Sequence, residues 1–275
     1  MDRFKLPSEI SDDQWPAPED FVEEAKACVR AAADQGLTLR VMGGLAIFLH
    51  SQERRALWEK LGRLGRKVFT DIDYVSYGKH RVKMIKFFEN RGFVINQKML
   101  YHYGKTRQIY YGEKIPMAEV FYDQMQFNHP ISFKNRLERD SPTFPLAELL
   151  LQKLQMVKMN EKDIKDVLIL LLAHETGDDD ENRINRRRLA DVLCTDWGFY
   201  HTATENLGKV RSSLAAYPAI ELQERNIIGG RISEVLEYLE QHPKSLKWKS
   251  RAVIGTKMRW YNEVDEWDVI DSQGQ

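Results

Sequence analysis

The stretch VFTDIDYVSY, residues 68–77, decides how the rest of the chain is read. Val68, Thr70, Ile72, Tyr74 and Val75 favour a pleated strand. Asp71 and Asp73 sit two residues apart within it. On a strand, residues i and i+2 point to the same face, so both carboxylates project together. Two carboxylates that close repel one another, which raises one pKa or calls for a cation between them. A hard divalent ion meets that need, since magnesium takes one or two carboxylates plus substrate phosphates. Taken alone, the pair describes a solvated strand face equally well.

The neighbouring segments give this strand its context. Upstream, LTLRVM (37–42) alternates and predicts a strand, Gly43-Gly44 breaks it, and LAIFLHSQERRALWEKLG (45–62) has helical character. Glycines between a strand and a helix let backbone N–H groups approach a phosphate, and the helix N-terminus adds a favourable dipole. An ordinary tight turn would use the same glycines. Downstream, KHRVKMIKFFENRGF (79–93) predicts an amphipathic helix ending at Gly92. Three strand-like pieces follow: FVINQKML (93–100), RQIYYG (107–112) and PMAEVFYDQMQF (116–127). In the last, Glu119, Phe121 and Asp123 share one face. Val120, Tyr122 and Met125 do not all share the other, which predicts a bend. Glu119 is the candidate third acid beside the Asp71/Asp73 strand, and Asp123 is its competitor.

Before this region, residues 1–17 read as a loose or wrapping arm, and DFVEEAKACVRAAADQG (20–36) as a helix stopped by Gly36. The pattern changes near Pro145. LAELLLQKLQMVKM (146–159), DIKDVLILLLAHE (163–175), INRRRLADVLCTDWGFYHTATENLGKV (184–210) and ISEVLEYLEQHP (232–243) all have helical periodicity. Trp248, Trp260 and Trp267 predict that the tail, 244–275, packs rather than dangles. The layout is therefore a mixed α/β half, residues 1–140, followed by an all-helical half, residues 141–275.

Composition narrows the function classes. The chain has 275 residues, with 41 Lys plus Arg against 41 Asp plus Glu, which argues against a general nucleic-acid coat. Residues 1–53 carry 5 basic and 10 acidic side chains, whereas residues 54–107 carry 14 and 4. The acid pair thus lies inside a basic stretch, which leans toward a phosphate-rich acceptor. The longest apolar run, Val167 to Ala173, is too short for a membrane helix. The first residues are polar and acidic, so no secretory signal is expected. Cys28 and Cys194 lie far apart, so neither a disulfide framework nor a structural zinc site is expected. A reducing cytoplasm is the expected compartment.

The ordered series Gly43-Gly44, a helix, Thr70-Asp71-Ile72-Asp73, then a later acid on a strand resembles the nucleotidyltransferase superfamily of polymerase-β-like fold. The piece PLAELLLQKLQMVKMNEKDIKDVLILL (145–171) is similar to a motif of AbiEii-type and related bacterial nucleotidyltransferases, with Lys153, Asp163 and Asp166 at the matching places. The resemblance covers roughly residues 37–172. It implies an α/β (α+β) fold: a nucleotidyltransferase-like mixed sheet with flanking helices, followed by an all-helical C-terminal domain that closes a cleft over it.

The resemblance also implies a magnesium-dependent transfer of NMP from an NTP to a hydroxyl acceptor, which could be an RNA end, a protein or a small molecule. Asp71 and Asp73 would hold magnesium on the triphosphate, and Glu119 would complete a second ion's site or act as general base. Gly43, Gly44, Thr70, Arg66 and Lys153 would bind nucleotide, with Asp163 and Asp166 orienting Lys153. Two positions depart from the pattern: Leu45 stands where Ser or Thr often follows the glycines, and Glu119 where Asp is common. The rival readings are a non-catalytic nucleotide-binding module of toxin/antitoxin type and a metal-dependent phosphohydrolase. Gly104-Lys105-Thr106 is not a P-loop, since Met99 stands where its first glycine belongs.

Overall fold

The computed structural model describes residues 6–64 and 67–264. Residues 7–14 form two short 3-10 turns that wrap the body, and Trp15 donates its indole N–H to the Phe69 carbonyl at 3.0 Å. Helix α1 (Pro18–Asp34) starts with proline at its first position, where no N–H is needed. Its buried stripe of Phe21, Ala25, Cys28 and Ala32 follows the expected spacing. Strand β1 (Leu39–Val41) leads directly into α2 (Gly43–His50). The helical stretch read over 45–62 breaks at Ser51, and α3 (Arg55–Lys60) follows. The Ser51 hydroxyl donates to the Ile47 carbonyl (2.6 Å) and accepts from Trp58 Nε1 (2.9 Å), so side chain and backbone compete there.

Strand β2 (Ile72–Ser76) begins one residue after Asp71. Next come α4 (Arg81–Glu89) and a two-residue β3 (Val94–Ile95). The strand expected over 93–100 stops there. Asn96 caps a helix instead, its side chain accepting from Met99 N–H at 3.0 Å, and α5 (Gln97–Tyr103) follows. Strands β4 (Arg107–Tyr111) and β5 (Met117–Tyr122) complete a mixed sheet of order β1-β2-β5-β4-β3. Only the β2–β5 pair in it is parallel. The bend expected near Asp123 is present, with φ of 62° at that residue. Beyond it β6 (Gln124–Gln126) pairs with β7 (Pro130–Ser132).

The sheet has two unlike faces. Tyr74, Tyr110 and Tyr122 share one, where Phe88 of α4 stacks on Tyr110 with ring centres 4.4 Å apart. The other carries Asp73, Val75, Glu119, Phe121 and Arg107.

Helices α6 (Leu146–Leu154) and α7 (Glu161–Ala173) pack against α2. Among its described residues the C-terminal half is helical apart from one parallel pair, β8 (Thr176–Gly177) with β9 (Ile184–Asn185). The helix read over 184–210 is two: α8 (Arg186–Leu193) and α9 (Trp197–Ser213). They separate because Asp196 accepts from Phe199 N–H (3.1 Å) and caps a fresh start. Helices α10 (Leu222–Gln241) and α11 (Leu246–Ile254) follow. In the tail, Trp248 and Trp260 donate indole N–H groups to the Leu193 carbonyl (3.3 Å) and the Thr202 hydroxyl (3.0 Å). Trp267 lies outside the described residues.

One cluster of buried side chains runs from Phe21 through Leu239 and spans residue 140 without a break. Residues 142–144 lie along β1: Val41 N–H donates to the Pro142 carbonyl at 2.9 Å, and Phe144 N–H to the Val41 carbonyl at 2.8 Å. The two halves expected from the sequence therefore share a core. Among the described residues no helix is long and apolar enough to cross a membrane.

Candidate active site

The glycine pair forms the first wall. Gly43 has φ of 73°, a left-handed conformation that other residues adopt at a cost. A Cβ on Gly43 would lie 2.6 Å from Asp73 Oδ2, so only glycine lets the start of α2 approach that carboxylate. The Gly43 N–H donates to Gln152 Oε1 of α6 at 3.0 Å, which fixes the turn against the helical half. Gly44 faces a second charged group, Arg63 Nη2, 3.1 Å from where its Cβ would stand. Leu45 is only 3% exposed and belongs to the core cluster. Its side chain anchors α2, which accounts for the absence of a hydroxyl residue there.

Asp73 lies on β2 and Asp71 just before it, both half-buried. Thr70 is exposed, and its hydroxyl donates to Asp71 Oδ1 at 3.2 Å. Burial and then the Asp71 charge push the Asp73 carboxyl up to about 8, with Arg107 and Lys153 pulling the other way. Glu119 is directly opposite Asp73 in the parallel β2–β5 register. Asp123 lies four residues further on, beyond the bend, and its Oδ1 accepts from Gly78 N–H at 2.9 Å. Of the two later acids, Glu119 is therefore the one beside the pair.

Glu119 is engaged by an arginine that the sequence reading counted only as part of the basic stretch. Arg107 on β4 faces Phe121, two residues along β5 from Glu119, so both side chains share a face. Its Nη2 donates to Glu119 Oε2 at 2.8 Å, and its Nε meets Oε1 of the same carboxylate. Both side chains are nearly buried, at 16% and 5% exposed. Burial lowers the Arg107 pKa, and the charges of Asp73 and Asp71 work against that. The sequence signal for Arg107 was an arginine inside the apolar strand RQIYYG, at the same parity as Ile109 and Tyr111.

The opposite wall is an ion network from α6, α7 and the segment after α3. Lys153 Nζ lies 2.9 Å from Asp163 Oδ1 and 2.9 Å from Asp166 Oδ2. Arg63, unremarked in the sequence, pairs with Asp166 at 2.7 Å. Burial works against the Lys153 charge, but Asp166 and Asp163 outweigh it and raise the pKa. Asp163 also sits in the capped first turn of α7, where its N–H donates to Asn160 Oδ1 at 2.9 Å. Arg66 lies outside the described residues.

Asp71, Asp73, Gly44, Arg63, Lys153, Lys162, Asp163 and Asp166 line one cleft of about 190 Å³. Its wall holds three cations and four carboxylates, so with all ionised it is net negative. A larger hollow of about 530 Å³ lies under the N-terminal arm, around Trp15 and Arg55, and shares none of these groups.

Asp71 and Asp73 supply the oxygen donors that a hard divalent ion takes, and such an ion offsets the burial and the Asp71 repulsion that lift Asp73. The pair therefore fits one magnesium ion. A set of three ligands is not assembled: among the described residues, no group of three or more His, Cys, Asp or Glu is placed to hold a metal ion. No protein-family model, curated protein or solved structure matches this chain.

Proposed function

We propose that the protein is a magnesium-dependent nucleotidyltransferase that moves NMP from an NTP to a hydroxyl acceptor. The observation that carries this reading is the approach of Gly43, at the start of α2, to the Asp73 carboxylate inside a cleft lined by Lys153 and Arg63. Magnesium bound by Asp71 and Asp73 would neutralise charge on the triphosphate. A net-negative wall suits a cation-bound triphosphate better than a bare one.

The chain's own groups do the rest. Beyond Gly43, whose N–H is held by Gln152, the N-terminus of α2 would offer backbone N–H groups and a favourable dipole to phosphate oxygens. Lys153, held by Asp163 and Asp166, presents a fixed positive charge in the cleft. The cleft is smaller than the ~300–1,000 Å³ of drug-sized ligand pockets, so it suits the phosphate end of a nucleotide and leaves sugar and base in the open mouth. The acceptor oxygen bonds to the α-phosphorus, the bond to the bridging oxygen breaks, and pyrophosphate leaves. In this reading Glu119, next to Asp73 in the sheet and oriented by Arg107, would take the acceptor's proton.

The test is purified protein with magnesium, α-labelled NTPs and a panel of RNA, protein and small-molecule acceptors. Label retained on an acceptor, and lost with Asp73→Ala, supports transfer. A second reading, nucleotide binding without transfer, is favoured by the Arg107–Glu119 pair, because it occupies the third acid. Nucleotide binding with no labelled acceptor supports that reading. Release of phosphate without an acceptor would instead mark a phosphohydrolase.

A further inference from the structure

Asp73, Glu119 and Arg107 come from three neighbouring strands and face the same side of the sheet. Asp73 stands opposite Glu119, and Arg107 from β4 hydrogen-bonds Glu119 Oε2 through Nη2 and meets Oε1 with Nε as an ion pair. The row thus reads acid, acid, fixed cation. A second divalent ion shared by Asp73 and Glu119 would have to displace Arg107 from the Glu119 carboxylate. It would also bring two further charges beside a nearly buried guanidinium.

Other features hold Arg107 in place. Its guanidinium lies 5.3 Å from the Phe121 ring centre, and the Asp71 and Asp73 charges favour its cationic form. A planar guanidinium hydrogen-bonded to a carboxylate through Nη2 and in ion contact with it through Nε is a more fixed arrangement than a flexible lysine.

We infer that Arg107 is a positioning residue which takes the place of a second metal ion, so that the site binds a single divalent cation on Asp71 and Asp73, with Glu119 excluded from metal coordination. This inference rests on the transferase reading of the Asp71/Asp73 site. It goes beyond that reading by fixing the ion count and assigning the count to one residue.

The test counts Mn²⁺ bound per chain by electron paramagnetic resonance, on the full chain with no nucleotide added. The wild type is expected to bind one ion, and Asp73→Asn to lose it. Arg107→Gln, which frees Glu119 and removes the local positive charge, is expected to bind two. Arg107→Lys, which retains the charge, is expected to stay at one. Two ions in the wild type overturn the inference and leave the transferase reading standing. Persistence of the single ion in Asp73→Asn, or a single ion in folded Arg107→Gln, also overturns it. No ion in the wild type overturns both. If Arg107→Gln does not fold, two ions in the wild type or an ion kept by Asp73→Asn still overturns the inference.

Discussion

Asp73 and Glu119 lie directly opposite each other on β2 and β5, the one parallel pair in the five-stranded sheet. They are 46 residues apart in the chain, so the sheet register alone makes them neighbours. That register puts a third carboxylate beside the repelling Asp71/Asp73 pair and brings Arg107 within reach of it. The charge balance of the site follows from these contacts.

The raised Asp73 pKa has a consequence for stability in metal-free protein. Its folded value of about 8 stands above the ordinary 3.8, so the folded state holds a proton that the unfolded chain releases. The associated stability is complete below about pH 4 and is lost as pH rises toward 8. Asp73→Asn removes this loss. Thermal melts in chelator from pH 5 to 8 should show the wild type falling relative to Asp73→Asn, and added magnesium should close the gap. Parallel curves would contradict the shift.

Gly43→Ala should destabilise the fold and disable the site together. The left-handed backbone alone costs a side chain roughly 1–2 kcal/mol. The new methyl would also collide with the Asp73 carboxylate. Gly36 has φ of 67°, and a Cβ added there would meet nothing within 4 Å, so Gly36→Ala should show the backbone cost alone. Denaturant melts of the two variants separate strain from collision, and Mn²⁺ binding should drop only in Gly43→Ala.

Asp166 carries the opposite wall, since it neutralises both Arg63 and Lys153 while fully buried itself. Removing one partner from a buried ion pair costs about 3–5 kcal/mol, because the partner stays buried and uncompensated. Asp166→Ala should fall in that range by urea denaturation. Lys162→Ala, at an exposed position on the rim of the same cleft, should change stability little.

The two later acids separate by experiment. Glu119→Gln should abolish transfer. Asp123→Ala should retain it while costing roughly 1–3 kcal/mol of stability, because the Gly78 N–H loses a charged acceptor. Labelled-nucleotide assays alongside melts decide the assignment. Loss of transfer in Asp123→Ala at temperatures where it remains folded would reverse it.

Several of these features were readable along the chain. The alternation of LTLRVM and VFTDIDYVSY, the glycine pair between strand and helix, and the helical periodicity beyond Pro145 are local patterns, set by backbone geometry and by which side of each element is apolar. The break at Asn96 and the split at Asp196 were written as capping residues but concealed by flanking apolar periodicity. The grouping of Lys153 with Asp163 and Asp166 was implied by the family resemblance, and α6 and α7 do bring the three together.

The sequence by itself determined the mixed α/β half and the helical half, the acid pair and the glycines that flank it, because each depends on residues a few positions apart. Only the tertiary structure decided that Glu119 rather than Asp123 stands beside the pair, that Arg107 holds Glu119, and that Arg63 meets Lys153 through Asp166. Those contacts depend on which strands become neighbours and in what register. Both are set by burying the two faces of the sheet at once, a requirement on the whole chain that no single segment carries.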